Sequence, residues 1–114
     1  MIKGIGIDLV EMSRIQRIKQ RSQFIQRILS KEEQELYASL THPQRQLEFL
    51  AGRFAVKEAY SKALGTGIGP IGFKDIVVLN DVKGKPYIKG VDRCHVSLSH
   101  SEHYCVAVVI LEEE

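Results

Sequence analysis

The chain has 114 residues, of which 44% are hydrophobic and 26% are charged. This balance is typical of a globular protein of about one domain, so we expect residues 1–114 to form a single domain and exclude a disordered chain, a collagen-like chain and a disulfide scaffold. The net charge of +2 is too small to require a nucleic-acid partner, although residues 1–62 carry a net +4 and residues 63–114 a net −2. No apolar run approaches the roughly 20 residues that span a bilayer, and the glycine-rich start does not resemble a signal peptide. We therefore expect a cytoplasmic protein.

The first part of the chain is predicted to form a strand and two helices. Residues 2–9 alternate between two faces, as the side chains of a strand do. One face carries Ile5 and Ile7, and the other carries Gly4, Gly6 and Asp8. Residues 12–29 have the spacing of one amphipathic helix with a cationic polar face. Ser30 and Glu33 form the pattern of a capping box that opens a helix ending near residue 40, and His42-Pro43 then interrupts the pattern.

The second part is predicted to supply one long helix and a small sheet. Residues 47–64 are rich in good helix formers and are followed by Gly65, the residue most common after a helix end. Strands are predicted at residues 76–80, 87–88, 95–99 and 104–111. The fold class is therefore α+β, with a small, mainly antiparallel sheet packed with a long central helix. Because the last strand is apolar on both faces, we expect part of its surface to meet another subunit.

The two cysteines, Cys94 and Cys105, flank the predicted last hairpin. A turn near residues 101–102 places Leu98 opposite Cys105 and Val109 opposite Cys94. This register separates the two sulfur atoms, so we expect reduced, buried thiols.

Two carboxylates occupy positions that the pattern leaves unexplained. Glu58 falls on a stripe of the long helix that is otherwise expected to be core, where it could pair with Lys62 four residues later or serve as a ligand of Mg²⁺. Asp8 follows two glycines, so it could cap the next helix or stand beside a backbone left bare for a ligand. Two such carboxylates together favour a bound cation.

Residues 12–31 contain six Lys or Arg residues and no acidic one. On a continuous helix, Arg14, Arg17 and Arg21 would share one face. Such a face is most often a solvated surface, but it could also bind an acidic protein or a nucleic-acid backbone. The shortage of interleaved aromatic residues weakens the nucleic-acid interpretation.

Four sequence blocks, taken together, resemble a known family. They are GIGIDLVE at residues 4–11, FAVKEA at 54–59, KALGTG at 62–67 and HVSLSHS at 95–101. In this order and at this spacing the chain, from residue 2 to about residue 110, resembles the holo-acyl-carrier-protein synthases, which are small 4′-phosphopantetheinyl transferases. The resemblance implies transfer of 4′-phosphopantetheine from coenzyme A to a serine of apo-acyl carrier protein for fatty acid biosynthesis, with release of adenosine 3′,5′-bisphosphate. It also implies a Mg²⁺ cofactor and a homotrimer with active sites between subunits, with neither nucleic acid nor membrane as a partner.

The resemblance also assigns roles to individual residues. It implies that Asp8 and Glu58 hold the ion, and that these two together with Lys62, near the pyrophosphate, are catalytic. Six residues match positions that bind coenzyme A: Arg45, Arg53, Phe54, Gly65, Thr66 and His100. Arg14 and Arg21 match the helix that docks the carrier protein, where either Phe24 or Ile25 supplies an aromatic or apolar contact.

Several alternatives remain open at this point. The group that accepts the serine proton could be Glu58, Lys62 or a metal-bound water. The carrier could belong to a pathway other than fatty acid synthesis. The competing class of function is a non-enzymatic module whose basic helix binds nucleic acid, in which the carboxylates are structural.

Overall fold

The computed structural model describes residues 1–113 and confirms the α+β class, with a long helix packed on an antiparallel sheet. In chain order the elements are β1 Ile2–Glu11, α1 Met12–Gln16, α2 Arg21–Ile28, α3 Lys31–Ser39, α4 Pro43–Leu64, a 3₁₀ turn at Phe73–Asp75, β2 Val78–Asn80, β3 Pro86–Ile88, β4 Cys94–His100 and β5 Tyr104–Glu112. Among residues 1–113, no helix combines the length and apolar character needed to span a membrane.

The main sheet has three antiparallel strands in the order β1-β5-β4, and β2 and β3 form a separate ribbon. The central strand β5 buries every second residue, and this inner face packs against α4. The core is built from the apolar residues of α4, from the inner face of the sheet and from apolar residues of α1 and α2. The core thus fixes α4 across the sheet, and with it every residue that α4 carries.

Two glycines let β1 lie directly on α4. A Cβ atom at Gly6 would stand 1.7 Å from the carbonyl oxygen of Ala59, and one at Gly4 would stand 2.1 Å from that of Ala63. The alternative that these glycines leave the backbone bare for a ligand is therefore wrong, because the helix occupies that side. Asp8 does not cap α1 either, since the residue before that helix is Glu11 and no side-chain cap is formed.

The other face of the sheet is open to solvent although it is apolar. Ile5, Ile7 and Leu9 on β1 are 60%, 58% and 63% exposed. They stand opposite half-buried apolar residues of β5, in the pairs Ile5–Ile110, Ile7–Val108 and Leu9–Val106. We call these six side chains the outer face.

The helix predicted at residues 12–29 is in fact two helices, α1 and α2, and this prediction was wrong. The chain leaves helical geometry after Gln16 and re-enters it at Arg21, so Arg14 and Arg21 do not share one continuous helix. The break turns the chain so that both Ile15 and Phe24 are buried in the core. Tertiary packing thus overrides a pattern that contains neither glycine nor proline.

The break predicted at His42-Pro43 is present between α3 and α4, but α4 begins at Pro43, four residues before the predicted start at residue 47. Pro43 is its first residue, and the preceding His42 caps it by accepting a hydrogen bond from the backbone N–H of Gln44 at 3.2 Å. The capping box of Ser30 and Glu33 is present as predicted, and Gly65 ends α4 in the left-handed conformation with a φ of 85°.

The last hairpin turns one residue later than predicted. The backbone N–H of Ser101 donates to the carbonyl of Tyr104 at 2.8 Å, so the pairing continues to those residues and the turn is formed by the next two. This displacement moves every pair by two residues and places Cys94 opposite Leu111 and Cys105 opposite His100. Both cysteines remain free thiols, with Cys105 buried and Cys94 half-buried.

Candidate active site

The first group of predicted site residues lies where β1 crosses the C-terminal half of α4. The Nζ atom of Lys62 donates to Asp8 Oδ1 at 3.1 Å and to the carbonyl oxygen of Ile7 at 3.0 Å. The Lys62 side chain is 51% exposed, whereas that of Asp8 is 15% exposed. Glu58 is half-buried one turn earlier on the same helix. The structure therefore brings together Asp8, Glu58 and Lys62, the three residues that the resemblance assigns to one site.

The electrostatics of this group favour a cation. Burial raises the pKa of Glu58 above its ordinary value, and the nearby negative charge of Asp8 raises that pKa further. Lys62 and Arg14 act in the opposite direction but do not cancel the shift. Two carboxylates that repel each other in this way would be relieved by a positive ion between them.

The donor chemistry of the pair fits a hard divalent cation. Mg²⁺ prefers oxygen ligands and is commonly held by one or two carboxylates, with water and substrate phosphates completing its shell. Across the described part of the chain, no group of three or more His, Cys, Asp or Glu residues has the arrangement of a metal site. The protein can thus supply two carboxylate ligands here, and the rest have to come from water or from a ligand.

A second group surrounds a cavity of about 600 Å³ between α4, β2 and β4. Arg53 lines it with a buried side chain, which stacks 4.1 Å from the centre of the Phe49 ring and donates from Nη2 to Asn80 Oδ1 at 2.8 Å. The Nε atom of Arg53 has no hydrogen-bond partner among the described residues. Burial lowers the pKa of Arg53, and the charge of Glu33 partly opposes that effect. A buried guanidinium with a free donor is suited to an anionic ligand.

Arg45 and His100 lie at the rim of the same cavity. Both are exposed, and each stands 4.0 Å from one carboxylate oxygen of Glu48, which lies between them. The cavity thus combines two arginines and a histidine with a single acidic residue near the rim, so its balance of charge favours a negative ligand. Three of the predicted coenzyme A contacts are brought together here.

Phe54 lies elsewhere, in a groove of about 560 Å³ beside α1 and α2. Its ring stacks on Phe73 with centroids 5.6 Å apart and tilts against Phe24 at 5.8 Å. Arg14 and Arg27 line the same groove. Phe54 therefore faces the basic segment and does not line the cavity that contains its sequence neighbour Arg53. The groove therefore combines an aromatic floor with a cationic edge.

The remaining predicted residues lie at element ends. Arg21 is the first residue of α2 and is half-buried. Gly65 and Thr66 follow Lys62 at the end of α4, and the exposed Thr66 hydroxyl donates to the carbonyl oxygen of Gly67 at 3.0 Å. Phe24 lines the groove and is buried, whereas Ile25 is only partly buried and does not line it.

The Asp8 group and the Arg53 group lie far apart within one chain. Nine residues separate Arg53 from Lys62 on α4, which at 1.5 Å per residue is about 13.5 Å along the helix axis. In the sheet, β1 with Asp8 and β4 with His100 are the two edge strands on either side of β5. In this chain the Asp8 group and the Arg53 group are therefore separate, and Phe54 lies apart from the cavity in the groove beside α1 and α2.

Sequence reasoning missed Phe49 and Asn80, which hold Arg53 in place. Phe49 precedes Arg53 by four residues on α4, so the helical spacing contained a signal for this stacking. Asn80 is 27 residues from Arg53 and reaches it only because β2 packs beside α4. No local pattern could have indicated that contact.

The sequence of this chain is similar to those of known enzymes. Residues 4–109 match the family model of the 4′-phosphopantetheinyl transferase superfamily. The holo-[acyl-carrier-protein] synthase of Staphylococcus epidermidis is 53% identical over 115 residues, which cover 99% of this chain and 98% of that protein. A Geobacillus synthase of the same name is also 53% identical, over 117 residues that cover 98% of each chain.

Solved structures agree with the sequence relatives. The crystal structure of a holo-(acyl-carrier-protein) synthase from Bacillus anthracis in complex with CoA (3′,5′-ADP) is 48% identical and superposes with a TM-score of 0.91, covering 100% of this chain and 99% of that one. The Helicobacter pylori synthase in complex with coenzyme A is 33% identical with a TM-score of 0.81, covering 95% of this chain and 99% of that one. The resemblance read from the sequence blocks and the prediction of an enzyme are confirmed: the chain belongs to the holo-[acyl-carrier-protein] synthases of the 4′-phosphopantetheinyl transferase superfamily.

Proposed function

We propose that this protein transfers 4′-phosphopantetheine from coenzyme A to a serine of apo-acyl carrier protein. The observation that carries the proposal is the full-length match, in sequence and in fold, to a synthase crystallised with CoA (3′,5′-ADP). In this reaction the serine oxygen forms a bond to the phosphorus that bears the pantetheine chain. The bond from that phosphorus to the 5′-phosphate of the nucleotide breaks and adenosine 3′,5′-bisphosphate leaves, while the serine hydroxyl gives its proton to Glu58, Lys62 or a water.

The Asp8 and Glu58 carboxylates are proposed to hold Mg²⁺, and their adjacency and the raised pKa of Glu58 support this role. The ion, when bound, neutralises charge on the phosphate oxygens and helps to orient them. Lys62 is proposed to act beside the ion on the pyrophosphate. Its Nζ atom is already fixed by Asp8 and by the carbonyl of Ile7, so its charge is positioned before substrate arrives.

Coenzyme A is proposed to bind through the cavity residues and the end of α4. Arg53, Arg45 and His100 offer positive charge to its phosphates, and Gly65 and Thr66 offer the backbone that follows Lys62 at the end of α4. Phe54 is proposed to contact the same ligand from the groove, which it lines as a half-buried residue.

The carrier protein is proposed to dock on α1 and α2 through Arg14 and Arg21. An acidic partner would be attracted by the surplus of positive charge in residues 12–31. Phe24 rather than Ile25 lines the groove at this surface, which favours Phe24 as the apolar contact.

We further propose a homotrimer whose active sites lie between subunits. The outer face supplies six apolar side chains that one chain leaves uncovered, and the family resemblance supplies the number three. The separation of the Arg53 group from the Asp8 group within one chain supports the shared site, because a second copy could bring its Arg53 group to the Asp8 group of the first. The protein is proposed to work in the cytoplasm, as one domain over residues 1–114, in fatty acid biosynthesis.

The test is intact-mass analysis of apo-acyl carrier protein mixed with this protein, Mg²⁺ and coenzyme A. We expect the carrier to gain one phosphopantetheinyl group and adenosine 3′,5′-bisphosphate to appear in equal amount. A carrier with its acceptor serine replaced by alanine is the control and should gain nothing. No mass gain on a fatty-acid carrier or on any carrier domain of another pathway would refute the proposal. A salt-resistant gel shift of nucleic acid would then favour the competing binding module.

A further inference from the structure

Lys57 and Glu33 form an ion pair whose two side chains are completely buried. The Nζ atom of Lys57 lies 2.5 Å from Glu33 Oε1. It also donates to the carbonyl oxygens of Ile28 at 2.5 Å and Phe73 at 3.0 Å. An ammonium group has three protons, and each of them is used here by an acceptor from a different part of the chain.

Glu33 completes the arrangement from the other side. Its Oε1 atom accepts from the backbone N–H of Ser30 at 2.8 Å, and its Oε2 atom accepts from that of Val78, also at 2.8 Å. Through these two side chains, α2, α3, the 3₁₀ turn and β2 are all attached to α4.

The attached elements are the ones that carry the proposed binding surfaces. Ile28 is the last residue of α2, the helix that begins with Arg21. Val78 is the first residue of β2, the strand that ends with Asn80 and so holds Arg53. Lys57 itself stands directly before Glu58 on α4. The buried pair of Lys57 and Glu33 thus connects three places: α2, which begins with Arg21; β2, which ends with Asn80; and the part of α4 that carries Glu58.

Stability alone gives a poor reason for such a pair. Two charges removed from water lose their hydration, and well-packed apolar residues at the same positions often stabilise a protein equally well or better. What apolar residues cannot do is bind four backbone groups in fixed directions.

We propose that Lys57 and Glu33 are positioning residues of the transferase, which hold α2 and β2 in register with Glu58 so that carrier protein and coenzyme A meet at the reacting groups. This inference rests on the proposed function. Its prediction is that loss of the pair weakens the use of both substrates even in a protein that is fully folded.

The experiment compares Glu33→Gln, the double variant Glu33→Gln/Lys57→Met and the control Glu32→Gln. Glu32 is the neighbouring residue on α3, and its pair with Lys89 at 2.7 Å is exposed on both sides. Circular dichroism gives Tm, and steady-state transfer gives kcat and separate KM values for carrier and coenzyme A, all at a temperature where each variant is folded. Hydrogen exchange reports the protection of α2 and of the Val78 amide.

We expect Glu33→Gln to lower Tm, because it leaves the Lys57 charge unpaired. The double variant should recover much of that Tm, yet both KM values should rise at least fivefold, and α2 and Val78 should exchange faster. Glu32→Gln should match wild type in every measurement. If the double variant does not fold, Glu33→Asp keeps the charge but shortens the side chain, and it should show the same rise in both KM values.

Wild-type KM values and wild-type exchange in the folded double variant, or in folded Glu33→Asp, would overturn the inference and leave the proposed function standing. A rise in KM for only one substrate would overturn the claim that the pair serves both surfaces. A wild-type protein that transfers nothing to any carrier would refute the proposed function, and the inference with it.

Discussion

A single added methyl group at Gly6 should separate β1 from α4. The new Cβ atom would stand 1.7 Å from the Ala59 carbonyl oxygen and 2.7 Å from the backbone nitrogen of Ala63, where ordinary contact begins at 3.4 Å. The atoms in the way belong to the helix backbone and cannot rotate aside, so the strand has to retreat by about 1.7 Å, the difference between 3.4 and 1.7 Å. Overpacking of a rigid site costs about 1–3 kcal/mol, and we expect Gly6→Ala to reach the upper end, about 3 kcal/mol.

Thermal unfolding at fixed protein concentration measures this cost. At roughly 4 °C per kcal/mol for a chain of this size, Tm should fall by about 12 °C. Transfer activity should also fall below the melting transition, because Asp8 lies two residues along the same strand and would move away from Lys62. Both losses follow from the displacement of one strand.

Gly52→Ala is the matched control, since this glycine is also buried and lies on α4. Its added Cβ atom would meet the end of the Leu98 side chain at 3.0 Å, and that side chain can rotate. Alanine is also a better helix former than glycine by about 1 kcal/mol, so the variant should stay within about 1 kcal/mol of wild type. A native Tm for Gly6→Ala would refute this reasoning, and so would equal decreases in Tm for the two variants. Either result would show that the close approach of β1 to α4 is not the reason why position 6 requires glycine.

Four further predictions concern the site and the surfaces. Glu58→Gln keeps the side-chain shape but removes the charge that a hard cation needs, so the rate of transfer should fall by about 100-fold with an unchanged circular dichroism spectrum. Full turnover of the wild-type protein in excess chelator would contradict the metal role. Arg14→Glu with Arg21→Glu should raise the calorimetric Kd for the carrier steeply and change that for coenzyme A little, whereas equal losses would mean that these arginines support the fold. Ile7→Asp on the outer face should convert a trimer to monomers in light scattering, and a monomeric wild type with full activity would refute the shared site. Burial raises the pKa of the Cys105 thiol to about 11, so in a Cys94→Ser background the reaction of Cys105 with a disulfide reagent at pH 8 should be slow in folded protein, speed up as pH rises and become fast on unfolding. Rapid labelling of Cys105 in the native variant would contradict its burial.

The sequence predicted those features that depend on neighbours along the chain. Ser30 with Glu33 and the final Gly65 set helix ends through hydrogen bonds and backbone geometry within a few residues, and both are found as predicted. The family resemblance assigns Asp8 and Lys62 to one site, but their direct contact in the structure was not predicted.

Features that depend on distant parts of the chain were not predicted. The break between α1 and α2 follows from the burial of Ile15 and Phe24 in one core, which no local pattern records. The hairpin register was missed because a turn displaced by one residue still leaves apolar residues alternating on both strands. The burial of Lys57 was also missed, because a lysine next to a glutamate is typical of an exposed helix surface. Lys57 is buried only because α3 and the 3₁₀ turn pack over it.

The placement of Arg53, Lys57, Glu58 and Lys62 on one continuous helix restricts how the length of this protein can vary. Each residue inserted into α4 between the first and the last of them would rotate all that follows by 100° and advance it by 1.5 Å, which would carry Lys62 away from Asp8. An insertion at residues 81–85, in the turn between β2 and β3, would leave the relative positions of these α4 residues and Asp8 unchanged. Natural length differences among proteins that share this arrangement should accordingly fall in the loops, while the interval of nine residues from Arg53 to Lys62 stays constant.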